Sequence, residues 1–217
     1  MDPSGEDIVL TGGPDKQREG LERWRRLLGE ERWNLVDFNQ RNIEGLGEVT
    51  VIDFGTEKNR LNFEVIGRNA GELEFSAAMS DLIGSKQHIE YQRAESFTYL
   101  SCLGSICEKA KTTPYAYGGA ATLNRDESLA GNVQIWVGRS ATDKAEWVME
   151  NRRQKGVKTS SDGGYLSFTK EQVDGHELGH AWSVIRQGRR AEDKHKALRI
   201  ENILRDRQGS PNRRLVH

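Results

Sequence analysis

The chain has little cysteine, little proline and no excess of either charge. Two cysteines among 217 residues are too few for a disulfide scaffold. The 32 Lys and Arg residues balance the 33 Asp and Glu residues, so we expect no basic surface and no binding of nucleic acid. No apolar run approaches the roughly 18 residues that span a membrane, and the acidic residues 1–7 do not resemble a secretory signal. We therefore expect no membrane partner and no Sec-dependent export.

The residues that are present suffice for a packed domain. Apolar residues make up 35% of the chain and charged residues 30%, as in ordinary globular proteins, and no repeat or low-complexity tract divides the sequence. We predict a single domain over residues 1–217. Its N-terminal part of helices and strands extends to about residue 113, and its active-site part covers about residues 114–217.

Hydrophobic spacing predicts an α+β protein. Apolar residues at helical spacing indicate a helix through Leu21 and Trp24 that ends at Gly29, followed by a short helix over Arg32–Asn39. Short runs of alternating apolar and polar residues then indicate antiparallel strands. These predicted strands are Val49–Asp53, Leu61–Val65, Leu73–Phe75, Ile89–Tyr91 and Asn132–Gly138, and a further helix is expected over Ala141–Arg152.

The two cysteines lie close together in the sequence. Cys102 and Cys107 are separated by four residues, a spacing that allows a tight disulfide or part of a metal site, although a zinc site would need further Cys or His nearby. We expect two ordinary thiols, buried or half-buried.

One motif carries chemistry. His176-Glu177-Leu178-Gly179-His180 places two imidazoles four residues apart, on one face of a helix, where both can reach one zinc ion. Glu177 lies beside that face and can act as a general base instead of a ligand. Because such a short pattern also arises by chance, its context has to support it.

The surrounding sequence supports a helix at the motif. Thr169 followed by Gln172 is typical of a capping box, and apolar periodicity continues until Gly188. A second helix is expected over Ala191–Arg207, and the short connection makes the two helices antiparallel neighbours. Gly179 inside the first helix costs about 1 kcal/mol relative to Ala, which indicates close packing or the approach of a substrate.

The third metal ligand is expected on the second helix. Glu201 lies opposite the two histidines when residues are counted outward from a turn near residue 189, and its neighbours on that stripe are apolar. A carboxylate among apolar side chains needs a compensating charge, which a metal ion supplies. The alternatives are a Glu201 that is exposed or paired with an Arg, and a ligand at His195, which is better interpreted as facing solvent. Extended motifs in which a third His ligand follows the second by six residues are excluded, because Arg186 stands six residues after His180.

These residues resemble the zincin metallopeptidases whose third ligand is Glu. The segment Ala197–Arg205 and the residues after Gly209 resemble, more narrowly, bacterial effector and toxin peptidases: the NleD-like type III effectors and the C-terminal domains of Rhs-type polymorphic toxins. The resemblance covers about residues 115–217. It implies a zincin-like fold, with a mostly antiparallel sheet packed against two antiparallel zinc-bearing helices.

Thermolysin-like relatives carry an Asp four residues after the Glu to orient a histidine. Arg205 stands at that position here, so Asn202 and Asp206 remain open for this role.

The resemblance implies a zinc-dependent endopeptidase that cleaves target-cell proteins. Zn²⁺ is its cofactor and Glu177 moves protons, while an oxyanion donor is expected among Tyr165, Arg205, Arg213 and His217. Residues 164–168 are expected to form an edge strand for an extended substrate or only to lead into the helix. A virulence effector or toxin of this type would be secreted by a specialised, non-Sec route, act in the target-cell cytoplasm, and have a cognate immunity protein or a larger toxin carrier as partner.

Two other classes of function remain open. A zinc hydrolase could act on a non-peptide bond, such as a cell-wall amide, which a deep and narrow pocket would indicate. A binding module could carry zinc only for stability, and a fourth protein ligand such as His195 or Cys102 would indicate that role.

Overall fold

The computed structural model describes residues 7–103, 106–114, 119–123, 128, 132–187, 194–210 and 212–217. The strands in this part of the chain are β1 (Ile8–Leu10), β2 (Asp37–Ile43), β3 (Gly47–Asp53), β4 (Ile89–Arg93), β5 (Phe97–Leu103), β6 (Ile106–Thr112), β7 (Ala120–Leu123) and β8 (Val133–Val137). The helices are α1 (Pro14–Leu28), α2 (Glu30–Trp33), α3 (Glu57–Glu64), α4 (Ala70–Ile83), α5 (Ala141–Gln154), α6 (Lys170–Gln187) and α7 (Lys194–Arg207). Among the described residues, none of these helices combines the length and the apolarity that crossing a membrane requires.

The predicted α+β class is confirmed, and the main sheet is mixed. Six strands follow the order β2-β3-β1-β4-β8-β7. The centre is parallel, because β4 pairs in parallel with both β1 and β8, so the expected antiparallel pairing of the strand at Ile89–Tyr91 is wrong. The outer pairs β2–β3, β3–β1 and β8–β7 are antiparallel, so β7 lies at one edge of the described sheet.

Several predicted helices and strands are confirmed in position, and three are wrong. The helices at α1, α5 and α6 and the strands at β3, β4 and β8 lie where the periodicity placed them. The expected strands Leu61–Val65 and Leu73–Phe75 lie instead in α3 and α4, because Thr56 and Asn69 cap these helices by accepting hydrogen bonds from backbone amides. The helix expected over Arg32–Asn39 is limited to α2, and its second half belongs to β2.

One apolar core joins the N-terminal elements to the C-terminal helices. Its fully buried side chains come from the central strands and from α1, α3, α4, α6 and α7, and include Ile8, Trp24, Phe63, Phe75, Met79, Ile135, Leu178, Ile200 and Leu204. The two parts that we distinguished in the sequence therefore share a core. The helix that carries the motif is held by contacts from sequence-distant elements.

Helices α6 and α7 pack closely and antiparallel. A Cβ atom at Gly179 would lie 2.6 Å from Cα of Ala197, and one at Gly175 would lie 2.2 Å from Cδ1 of Leu204. As the position on α6 advances, its neighbour on α7 comes earlier in the sequence, which defines the antiparallel arrangement. Gly179 thus allows the two helix backbones to approach.

A buried ion pair fixes α6 against α1. Nε and Nη2 of Arg23 donate to the carboxylate of Asp174 over 2.8 and 2.5 Å, and the hydroxyl of Tyr91 on β4 donates to the same carboxylate over 3.0 Å. All three side chains are buried. Burial raises the pKa of Tyr91 well above its ordinary value, and the charge of Asp174 adds to the effect.

Strands β5 and β6 form a separate two-stranded hairpin. Cys102 and Cys107 face each other across it and form a disulfide, so the prediction of two free thiols is wrong: the hairpin register places the two side chains directly opposite each other. At its base, the Phe97 ring stacks on Trp136 with the ring centroids 5.5 Å apart.

Candidate metal centre

The motif helix begins as the sequence predicts. The backbone amide of Gln172 donates to Oγ1 of Thr169 over 3.2 Å, and the amide of Thr169 donates to Oε1 of Gln172 over 3.1 Å. This reciprocal capping box fixes the first turn of α6. His176 and His180 follow on one face of the helix, with their ring centroids 4.9 Å apart.

A third histidine completes a cluster with these two. One ring nitrogen from each of His176, His180 and His217 lies within 4.8 Å of the others, a grouping that could hold a metal ion. Nε2 of His180 and Nε2 of His217 are 2.7 Å apart. Ligand atoms of tetrahedral zinc, each about 2.0–2.1 Å from the ion, are separated by about 3.3 Å. The two rings therefore need to separate by well under an ångström to accept zinc.

His217 reaches the cluster because the chain after α7 returns along the segment before α6. The amide of Ser161 donates to the carbonyl of Arg213 over 2.9 Å, and the amide of Leu215 donates to the carbonyl of Thr159 over 3.0 Å. From the other side, the guanidinium of Arg152 on α5 donates to the carbonyl of His217. These contacts, none of which involves the motif, bring the backbone of His217 to the cluster.

Burial keeps the imidazoles of His180 and His217 neutral. It is the largest cause that lowers the pKa of His180 to about 2 and of His217 to about 4, and the charges of His176 and Arg214 act in the same direction. A neutral imidazole has the lone pair that a metal ion requires. The three histidines therefore offer donors of a kind that could hold a metal ion such as zinc.

Glu201 lies beside His176 and is not a member of the three-histidine group. Its side chain is fully buried, and its Oε2 is 2.9 Å from Nδ1 of His176. Arg205 donates to Oε1 over 3.0 Å and Arg214 donates to Oε2 over 2.8 Å. Of the ligands expected from the sequence, His176 and His180 belong to the group that could hold a metal ion, and Glu201 contacts His176 without belonging to that group. Two arginines supply the compensating charge that a metal ion was expected to supply, so a ligand role for Glu201 stays a prediction.

The carboxylate of Glu201 is ionised in this environment. Burial alone raises its pKa, but the charge of Arg214, the hydrogen bond from His176 and the charges of His176 and Arg205 outweigh burial and lower the pKa to about 2. An ionised carboxylate accepts the Nδ1 proton of His176, which leaves Nε2 of that ring as the ligand atom. Glu201 is therefore placed to orient His176, a role for which the sequence had left Asn202 and Asp206 open.

Glu177 is buried next to the cluster. The hydroxyl of Thr122 on β7 lies 2.7 Å from Oε2 of Glu177 and 3.0 Å from its backbone carbonyl. Burial raises the pKa of Glu177, although His176, Thr122 and Arg214 oppose the shift. A carboxylate with a raised pKa accepts a proton more readily at neutral pH, as a general base must.

The other expected site residues contact different partners. Tyr165 is exposed and donates to Oε2 of Glu146 over 2.7 Å, and this hydrogen bond raises its pKa. Arg213 forms a surface ion pair with Asp206 over 2.7 Å. Residues 164–168 do not form a strand, because their backbone leads directly into α6. The edge strand beside the motif helix is β7.

The residues proposed as a fourth ligand are not at the cluster. Cys102 is bonded to Cys107, and His195 is exposed on α7. In the described part of the chain, no further His, Cys, Asp or Glu joins the three histidines. A site with three protein ligands and an open position is typical of catalytic zinc, whereas structural zinc sites have four protein ligands.

Sequence reasoning gave His217 a different role and missed Thr122 and Arg214. The chain contains only 5 histidines, and Gly209 and Pro211 are residues that favour a turn after the second helix, so these two signals together could have identified His217 as a candidate ligand. Nothing local marks Thr122 or Arg214, because their roles depend on pairing between distant segments. No known protein family, curated protein or solved structure matches the chain.

Proposed function

We propose that the protein is a zinc-dependent hydrolase in which His176, His180 and His217 hold the ion and Glu177 is the general base. The observation that carries the proposal is the convergence of three histidine rings, two of them held neutral by burial, beside a buried carboxylate of raised pKa. When bound, zinc supplies the Lewis acidity that activates water and polarises a carbonyl group.

Three side chains around the cluster have separate roles in the proposed reaction. Glu177 accepts a proton from the attacking water and returns it to the leaving group. Thr122 donates to Oε2 of Glu177 and so fixes the orientation of that carboxylate. Glu201 holds the Nδ1 proton of His176, which keeps the ring in the tautomer that can bind metal.

The substrate that we propose is a peptide bond within a protein. The motif resembles that of zincin endopeptidases, and a zincin-like arrangement is supported by the antiparallel helix pair α6–α7 and by the edge strand β7 next to Glu177. An extended peptide can pair with such an edge through main-chain hydrogen bonds. A bound segment beside β7 would therefore lie close to the proposed base.

The biological setting is proposed from the sequence resemblance alone. Similarity to bacterial effector and toxin peptidases suggests a protein that is exported by a specialised, non-Sec route and cleaves proteins in the cytoplasm of a target cell. A cognate immunity protein or a larger toxin carrier would then be its partner.

Glu177→Gln gives the direct test of this function. The substitution is nearly isosteric but cannot accept a proton, so it should retain zinc and fold while lowering the hydrolysis rate about 10²–10⁴-fold. Lysate proteins from a target cell would be incubated with the zinc-loaded wild type and with the variant, and new protein N-termini would be identified by mass spectrometry.

The comparison separates the classes of function. New N-termini with the wild type alone would support a peptidase. Equal cleavage by both proteins would show that Glu177 is not the base. If zinc is bound but neither protein produces new N-termini, the same pair would be assayed on cell-wall amides, where a loss of rate in the variant would identify a hydrolase of non-peptide bonds.

A further inference from the structure

We propose that Arg214 is a positioning residue that couples two of the three histidines, so that His176 and His217 bind metal as a unit. This inference rests on the proposed zinc site and adds a residue that the motif does not contain. One guanidinium contacts both the carboxylate behind His176 and the backbone that carries His217.

The first contact is made to the support of His176. Nη1 of Arg214 donates to Oε2 of Glu201 over 2.8 Å, and the same oxygen lies 2.9 Å from Nδ1 of His176. Nη1 of Arg214 is itself 3.5 Å from that ring nitrogen. Arg214 therefore holds the carboxylate oxygen of Glu201 that faces His176, and through it supports the orientation of the His176 ring, while Arg205 holds the other oxygen.

The second contact is made to the segment that ends at His217. Nε of Arg214 donates to the carbonyl of Val216 over 2.7 Å, which fixes the backbone immediately before His217. Asn202 on α7 holds the backbone of Arg214 through two hydrogen bonds, of 2.8 Å to its amide and 2.9 Å to its carbonyl. The guanidinium is thus held between α7 and the returning segment.

The surroundings of Arg214 favour arginine over lysine. Its side chain is 10% exposed, and its guanidinium lies over the ring of Phe168, 5.6 Å from the centroid. Two different nitrogens make the contacts to Glu201 and to Val216. A lysine has a single nitrogen on a flexible chain and cannot reproduce this divergent geometry. The preceding residue, Arg213, pairs with Asp206 at the surface.

These contacts predict that the ligands are lost together. If the guanidinium is removed, Glu201 loses a charge partner and the Val216 backbone loses its donor, so His176 is less well oriented and His217 is free to leave the cluster. Loss of residues that support metal ligands typically weakens metal affinity about 10–100-fold. We expect a loss in this range for Arg214→Gln.

The experiment compares Arg214→Gln with the matched control Arg213→Gln. Zinc affinity would be measured by competition with a chromophoric chelator, and the number of imidazole ligands by X-ray absorption on the zinc-saturated proteins. We expect Arg214→Gln to bind zinc about 10–100-fold more weakly and with fewer than three imidazoles, while Arg213→Gln matches the wild type in both measurements. Equal affinity and three imidazoles in both variants would overturn the proposal.

Arg214→Lys tests the coupling even if Arg214→Gln fails to fold. Lysine keeps the charge next to Glu201 but cannot also hold Val216, so we expect a folded protein with weakened zinc affinity. Wild-type affinity in Arg214→Lys would overturn the coupling. If the wild type itself binds no zinc through the three histidines, the proposed function fails. If the wild type binds zinc and the Arg214 variants do not differ from it, only this inference fails.

Discussion

The α6–α7 pair and the β5–β6 hairpin show two different ways to hold a structure together. In the helix pair the side chains of the candidate site are almost fully buried, and arginines from other elements contact carboxylates of the two helices. Most of β6 is exposed, and a disulfide between facing residues joins the hairpin strands. The geometry of the candidate site therefore depends on many long-range contacts, whereas that of the hairpin depends on one local covalent bond.

The difference has an energetic consequence. A buried charge that loses its partner destabilises the folded state, because the charge has lost its hydration on folding and no other group in the interior compensates for it. Breaking a buried ion pair of α6 should therefore lower the free energy of unfolding of the whole protein. Breaking the disulfide should affect only the hairpin, since the hairpin contacts the remainder of the protein mainly through its base around Phe97 and Trp136.

The largest effect is expected at the ion pair between Arg23 and Asp174. Asp174→Asn leaves the buried guanidinium of Arg23 without a countercharge, and loss of one partner of a buried pair costs about 3–5 kcal/mol. The free energy of unfolding, from urea titration of the metal-free protein, measures this loss. Asp206→Asn breaks an exposed pair and should cost less than about 1 kcal/mol. Similar values for the two variants would contradict the comparison.

A smaller loss is expected at the contact between the two helices. Gly179→Ala would place a Cβ against the backbone of Ala197, and such overpacking costs about 1–3 kcal/mol even though Ala favours helix formation. Gly175→Ala should cost less, because its Cβ meets the end of the Leu204 side chain, which can rotate away. Thermal unfolding of both variants would test this order, and a stabilised Gly179→Ala would show that the backbones are not in close contact.

The metal-free protein should also lose stability as the pH falls from about 6.5 toward 4. The folded pKa values of about 2 for His180 and about 4 for His217 lie below the ordinary value, so the unfolded chain binds protons first and is favoured in this window. Their contribution is fully present above about pH 6.5. We expect the free energy of unfolding to fall by about 1–2 kcal/mol between pH 7 and pH 5.5. His217 is partly solvated and therefore contributes less to this loss than His180. Urea titrations at several pH values measure the slope, and His217→Gln should reduce it; a flat profile in the wild type would contradict the assignment of neutral rings.

The smallest global effect is expected at the disulfide. Joint replacement of Cys102 and Cys107 by Ser releases a very short loop, for which chain entropy allows at most about 2 kcal/mol, and the change should be confined to β5 and β6. Hydrogen exchange should accelerate in these two strands, while the melting temperature and zinc affinity remain close to wild type. A large fall in zinc affinity would show that the hairpin supports the site after all.

The features that the sequence predicted are local, and those that it missed depend on distant contacts. The capping box at Thr169, the helix with its two histidines and the position of Glu177 between them follow from spacing over a few residues. The role of Glu201 was inferred from its position opposite the two histidines and from its apolar neighbours, and neither observation distinguishes a carboxylate that contacts a metal ion from one that contacts two arginines. The short alternation around Phe63 and Phe75 suggested strands, but the caps at Thr56 and Asn69 outweigh such a weak pattern.

The identity of the third ligand tests the central claim most directly. X-ray absorption at the zinc edge on the zinc-loaded wild type counts imidazole and carboxylate ligands, and Glu201→Gln with His217→Gln provides the matched pair of variants. The account predicts three imidazoles in the wild type, loss of tight zinc binding in His217→Gln, and retained but weaker binding, by about 10–100-fold, in Glu201→Gln. Two imidazoles and a protein carboxylate in the wild type, together with full zinc binding by His217→Gln, would contradict it.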